Sequence, residues 1–154
     1  MNQIRQKIDE LDAQIVKLLN ERANQAIAIG KLKESKKSAV YVPTRERDVF
    51  ERVWAANEGP LKNESLEAIY REIMSASLSL EKKPVIAFLG PFGTFSHQAA
   101  TGKFGKSVDY RVCETIKDVF DSVHKGKADY GVVPVENSTE GAVTHTLDAF
   151  YETP

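Results

Sequence analysis

SLSLEKKPVIAFLGPFGTFS, residues 77–96, joins two kinds of chain. On its N-terminal side the sequence is charged, helix-patterned and poor in glycine. On its C-terminal side come an apolar run, Val85 to Leu89, and a Gly/Pro loop, Gly90-Pro91-Phe92-Gly93-Thr94. Glycines mark the same boundary: only Gly30 and Gly59 precede residue 90, and the other seven follow. The 154 residues therefore read as two small domains, residues 1–83 and 84–154.

The first segment follows a period near 3.6. Ile4, Ile8, Leu11, Ile15 and Leu18, then Ile29 and Leu32, form one stripe at spacings of three and four. A non-periodic stretch, Glu34 to Val42, leads to Pro43, which suits the first turn of a second helix running to about Glu58. Gly59-Pro60 stops that helix, and Asn63 or Ser65 is placed to cap a third, which runs to about Leu80. The first helix poses a physical problem. At 1.5 Å per residue, its roughly 30 residues make a rod of about 45 Å. Two shorter helices cannot cover such a stripe along its length, so an intertwined helical dimer is expected.

The second segment alternates. Val85–Leu89 reads as a strand, followed by a helix from about Ser96 to Lys103 and a second strand, Tyr110–Cys113. A helix from Ile116 to Lys125, a third strand, Tyr130–Val135, a loop over residues 136–141 and a helix from Ala142 to about Tyr151 complete the order. Strands alternating with helices predict a parallel α/β sheet. Three strands make a small sheet, and residues 152–154 stand where a further strand is expected, so this segment reads as unfinished.

Composition excludes several classes. The chain is 42% hydrophobic and 28% charged, as soluble globular proteins are. Its net charge of −1 implies neither nucleic acid nor a membrane surface as partner. The single cysteine, Cys113, sits in a strand-like run and reads as a buried thiol in a reducing compartment. No apolar run approaches the roughly 18 residues of a membrane span. The N-terminus MNQIRQKIDE lacks the apolar core of a signal peptide, so the cytoplasm is the expected location. His97, His124 and His145 are widely spaced, and no metal site is read there.

The useful anomaly is charge on the first helix. Heptad spacing from Ile8 and Ile15 arrives at Arg22, and Lys33, eleven residues on, lies about 20° from the same face. Buried cations are costly unless an anion compensates. Glutamates of neighbouring helices can satisfy them, or they can snorkel to solvent. The second helix opens with Thr44-Arg45-Glu46-Arg47-Asp48, which fits a solvated first turn with Glu46 favoured by the helix dipole. Ser77 and Glu81 share one face of the third helix. Singly, none of these is diagnostic. Together they describe a pocket with cations, a hydroxyl and two carboxyls, suited to a small polar dianion.

At this point the residues match known families. IRQKIDELDAQIVKLLNERA, IGKLK, TRERDVFERV and YREIMSASLSLE resemble, in order and spacing, the all-helical class of chorismate mutases. GPFGTFSHQAA and VVPVENSTEGAVTHTLDAF resemble the start of prephenate dehydratase. The order is that of the bifunctional mutase–dehydratases of phenylalanine biosynthesis. The resemblance implies a three-helix, intertwined-dimer mutase domain followed by a partial three-layer α/β lobe of a two-lobed dehydratase domain.

For the mutase, the resemblance implies a Claisen rearrangement of chorismate to prephenate with no cofactor. Arg22 would bind one carboxylate and Arg5, supplied by the partner chain of a homodimer, would bind one in trans. Lys33 would donate to the ether oxygen and a nearby carboxylate. Glu46 would hold the ring hydroxyl near the backbone N–H of Val42, Ser77 would bind a carboxylate, and Glu81 would reach the ether oxygen. Arg45 would support the site. Val42 and Glu81 depart from relatives with a polar residue and a glutamine there; a glutamate donates only when protonated. For the dehydratase, Thr94 or Ser96 can cap a helix whose N-terminus suits an anion, and Glu136, Asn137 and Ser138 follow the third strand at its C-terminal end. The dehydratase family's Thr-Arg-Phe motif is nowhere in the sequence, so that activity is expected to be incomplete. Two rival readings are an anion-binding module without turnover and a dimerisation rod. A pure coiled-coil rod has no use for Arg22, Lys33, Glu46, Ser77 and Glu81 together.

Overall fold

Apolar periodicity shapes the first half into three helices, α1 (Asn2–Lys36), α2 (Pro43–Ala55) and α3 (Asn63–Glu81). The computed structural model describes residues 1–36, 43–137 and 141–152. Helix α3 is the element on which both α1 and α2 pack. The first twenty residues of α1 are exposed throughout, and its apolar stripe lies open, with Ile8 52% and Leu18 62% accessible.

Two helix ends differ from expectation. Helix α2 stops at Ala55, three residues before the expected Glu58, because Asn57 takes over the turn. The Asn57 side chain accepts from the Gly59 amide and donates to the Leu61 carbonyl and the Asn63 side chain. Neither Asn63 nor Ser65 caps α3. Lys62 occupies the cap position without a side-chain bond, and its carbonyl accepts from the amides of Ser65 and Leu66. Asn63 is drawn instead into the Asn57 turn.

The second half contains a parallel sheet of β1 (Val85–Leu89), β2 (Asp109–Cys113) and β3 (Tyr130–Val132) in the order β2-β1-β3. The two-residue period of β1 divides its side chains between two faces. Ile86 and Phe88 pack with Ala100, Phe104 and Val108 on the side of α4 (Phe95–Phe104). Ala87 packs with Cys113, Val119 and Ala128 on the side of α5 (Ile116–His124). The result is three layers around a doubly buried central strand. Cys113 is a buried free thiol, 3.6 Å from the Ser122 hydroxyl.

Capping chemistry sets the crossover helices. Thr94, not Ser96, caps α4, accepting from the His97 amide, while Thr115 and Asp118 form a reciprocal capping box on α5. Strand β3 is shorter than the expected Tyr130–Val135. Pro134 has no N–H to give a ladder, and its carbonyl accepts from the buried Thr146 hydroxyl at 2.7 Å. The expected loop after it carries a small antiparallel pair, β4 (Glu136–Asn137) and β5 (Gly141–Ala142). The last helix, α6, spans Thr144–Glu152 rather than starting at Ala142.

Polar bonds fasten the two halves together. Asp129, which opens the approach to β3, receives Lys82 at 2.8 Å and the Val85 amide at 2.9 Å. Burial works to raise its carboxyl, but these two bonds outweigh burial and hold it below the usual carboxylate range. On the other flank, the turn after α4 presses on α3. The Lys106 amide donates to Glu72 and the Ser107 amide to the buried Ser75 hydroxyl. The Tyr110 hydroxyl donates to the Gly105 carbonyl. Burial first, then the Glu72 charge, pushes that phenol up to about 12, so it remains a donor through the neutral range.

Gly105 makes this docking possible. Its φ is +74°, and a Cβ there would lie 2.4 Å from the Ser75 Cβ. Gly105→Ala combines left-handed strain with a collision and is expected to cost about 1–3 kcal/mol. Urea unfolding at fixed chain concentration measures it. Wild-type stability in that variant would mean that the halves do not dock through this turn.

Candidate active site

One cavity of about 460 Å³ gathers the charged residues of the helical half. Helix α1 contributes Arg22 and Lys33, α2 contributes Arg45 and Glu46, and α3 contributes Arg71, Ser77 and Glu81. The wall is completed by α4, through Lys103 and Phe104. Five basic side chains thus face two carboxylates. Apolar surface from Ile29, Val49, Met74 and Leu78 completes the lining and lowers the local dielectric.

Helical spacing explains the pairing across α1 and α3. Arg22 donates to the Ser77 hydroxyl at 2.6 Å, and that hydroxyl donates to the Ile73 carbonyl at 2.8 Å. Further along both helices, Lys33 lies 3.3 Å from Glu81, whose side chain is 9% exposed. The cations of the α1 stripe therefore turn inward and meet partners there, rather than snorkelling to solvent. Gly30 is buried at the same crossing. A Cβ on it would lie 2.9 Å from the Glu81 Cγ and 3.2 Å from its Cα.

Glu46 is the buried carboxylate of α2. One oxygen pairs with the Arg71 guanidinium and the other with Lys103 Nζ at 2.9 Å. Arg71 also reaches Glu67 at 3.3 Å and lies 4.6 Å from the centre of the Phe50 ring. Glu46 is thus no solvated first-turn residue. It is buried in a cation-lined wall.

The remaining sequence candidates fall elsewhere. Arg5 is exposed on the open part of α1 and does not line the cavity. It stands about 25 Å from Arg22 along the helix axis. Val42 and Ser138 lie outside the described residues. Thr94 and Ser96 sit at the start of α4, and Glu136 and Asn137 in β4. Because β1 and β3 run parallel, the segments that follow them emerge at one edge of the sheet. That common edge is what relates these four residues.

Four residues that matter here were not singled out from the sequence. Gly30 offered a signal, a glycine inside a helical stripe, which marks close approach by a neighbour. Arg71 shares a helical face with Ser75 and Leu78, so a wheel count could have found it. Lys103 and Gly105 carry no local signal, because their importance comes from docking against α3.

A cation-rich cavity walled by α1, α2, α3 and the end of α4 is of a kind suited to a small anion. Residues 4–82 match the family of chorismate mutase type II, and the chain belongs to that family. Residues 86–154 match the prephenate dehydratase family. The bifunctional chorismate mutase/prephenate dehydratase of Aquifex aeolicus (strain VF5) is 50% identical over 156 residues, covering 99% of this chain and 43% of the relative. The protein of the same description from Neisseria gonorrhoeae is 51% identical over 144 residues, covering 94% of this chain and 39% of the relative. The chain therefore spans less than half the length of these two relatives. A solved chorismate mutase from Thermus thermophilus (form II) superposes with a TM-score of 0.51 at 32% identity, covering 52% of this chain and 91% of that one.

The bare Gly30 crossing yields a test. Gly30→Ala gains about 1 kcal/mol of helix propensity but overpacks the Glu81 stem at a cost of about 1–3 kcal/mol. The expected result is a net loss of stability in urea unfolding at fixed chain concentration. A gain of the full propensity term would show that the two helices separate easily there.

Proposed function

We propose that the chain catalyses the rearrangement of chorismate to prephenate at the cavity between α1, α2 and α3. The observation that carries this reading is the surplus of cations over carboxylates in a cavity of small-molecule size. Such a site attracts a small dianion. The reaction requires no group transfer to the protein. It requires the substrate held in a compact conformer, and charge on the breaking ether bond stabilised by fixed donors.

The roles proposed are those that the family resemblance implies, and the meeting of Arg22 with Ser77 and of Lys33 with Glu81 supports them. Arg22, braced on Ser77, binds one substrate carboxylate, and Ser77 binds a carboxylate. Lys33 donates to the ether oxygen. Glu81, beside Lys33, reaches the same oxygen and donates to it when protonated. Glu46 accepts from the ring hydroxyl, with the Val42 amide as its neighbour in this assignment. Arg45 supports the site electrostatically. No cofactor enters these roles.

The site is completed in a homodimer, in which the open apolar stripe of α1 packs on a second copy and Arg5 reaches the partner's cavity. Residues 1–83 form the mutase domain. Residues 84–154 form part of a dehydratase lobe, with Thr94, Ser96, Glu136, Asn137 and Ser138 at its partial site. The expected location is the cytoplasm; among the described residues no helix is long and apolar enough to cross a membrane.

Loss of chorismate absorbance tests the activity. The folded chain is expected to consume chorismate, and Arg22→Ala to lower kcat/KM by roughly 10²-fold or more. A folded wild-type chain that leaves chorismate at its spontaneous rate would overturn the proposal. The same 154 residues are expected to form no phenylpyruvate from prephenate, because the Thr-Arg-Phe motif is absent from them.

Assembly has its own test. Arg5→Ala and Arg22→Ala chains, each impaired, are mixed, unfolded and refolded together. Heterodimers are expected to regain activity, because one of their two sites keeps both arginines. Mixed dimers that form yet stay as impaired as the parents would show that Arg5 does not act in trans.

A further inference from the structure

The helical half does not close its cavity alone. Lys103, in the last turn of α4, reaches across from the α/β half to Glu46 at 2.9 Å. The Lys103 side chain is about half exposed, but the backbone that delivers it is fixed. The Lys103 carbonyl accepts from Arg71 at 3.2 Å, and the amides of Lys106 and Ser107 are bound to Glu72 and Ser75 of α3. Phe104 is buried between the cavity wall and the sheet core, where it stacks on Tyr130.

The two cations on Glu46 do different things. Arg71 offers a planar fork, and a carboxylate free to rotate would turn both oxygens to that fork in a bidentate pair. Lys103 instead meets the second oxygen, which opposes that rotation. A carboxylate accepts about four hydrogen bonds, so pairing with cations is compatible with accepting from a ligand hydroxyl. We propose that Lys103 is a positioning residue of the mutase site. Supplied by the dehydratase-like half, it acts through Glu46, holding that carboxylate in the cavity wall as a hydrogen-bond acceptor. This rests on the reading of the cavity as the chorismate site. It also joins the two halves mechanically, since α4 carries Thr94 at one end and Lys103 at the other.

The test is a double-mutant cycle on the whole chain, with chorismate as substrate and folding verified by circular dichroism. Glu46 binds a hydroxyl that is present in ground and transition states alike, so its misplacement weakens binding rather than the chemical step. Lys103→Met is expected to raise KM about three- to tenfold, as loss of one partly buried charged bond should, with kcat changed less than about twofold. Lys103→Arg is expected to restore most of the affinity. In a Glu46→Gln background, Lys103→Met is expected to add nothing, because a neutral amide no longer needs the second cation. An unchanged KM in Lys103→Met, a loss confined to kcat, no rescue by arginine, or an equal loss in the Glu46→Gln background would each overturn the role. Any of these in a chain that still consumes chorismate leaves the reading of the site intact. A folded wild-type chain without turnover removes both.

Discussion

The Arg71 guanidinium is the contact on which the rest of the arrangement depends. It pairs with Glu46 of α2 and Glu67 of its own helix, donates to the Lys103 carbonyl of α4, and covers the face of Phe50. A buried carboxylate such as Glu46 is tolerable only with cations around it. The same planar fork that neutralises it also fixes the end of α4, so charge compensation inside the helical half and docking of the α/β half are one event.

Helix α3 follows from that constraint. One of its faces presents Ser77 and Glu81 to α1, and its flank presents Arg71, Glu72 and Ser75 to α2 and the α4–β2 turn. Small side chains permit these approaches. Gly30 admits the Glu81 stem, and Gly105 comes so near to Ser75 that no larger residue fits. The open end of α1 is the counterpart of this crowding. Its apolar residues find no cover among the described residues, and exposed apolar surface of that extent costs roughly 25 cal/mol per Å² against burial. Under the proposed dimer, the same helix would serve both as interface and as the carrier of Arg5.

Much of the fold was legible because its signals are local. The 3.6 period located α1 and α3, and the β-branched, apolar run bounded by Pro84 and Gly90 located β1 at Val85–Leu89. The misses were local competitions that went another way. Asn57 held the turn that Gly59-Pro60 was expected to make, Lys62 stood where Asn63 or Ser65 was expected to cap, and Pro134 ended β3 early. The candidate site was legible in part for the same reason. Arg22 and Lys33 on one face, and Ser77 and Glu81 on another, follow from helix geometry, and the structure brings all four into one cavity with Glu46.

By itself, then, the sequence determined that there are two architectures, where they join, and which faces of α1 and α3 carry charge, because each is written in the spacing of neighbouring residues. Only the tertiary structure decided what those charges meet. Glu46, whose charged first turn also fitted a solvated surface, is buried between Arg71 and Lys103, and the cavity of the helical half has a wall from the α/β half. Periodicity describes one element at a time. The angle at which α4 docks on α3 depends on Gly105, Ser75 and Arg71 acting together across distant parts of the chain, and no local pattern encodes it.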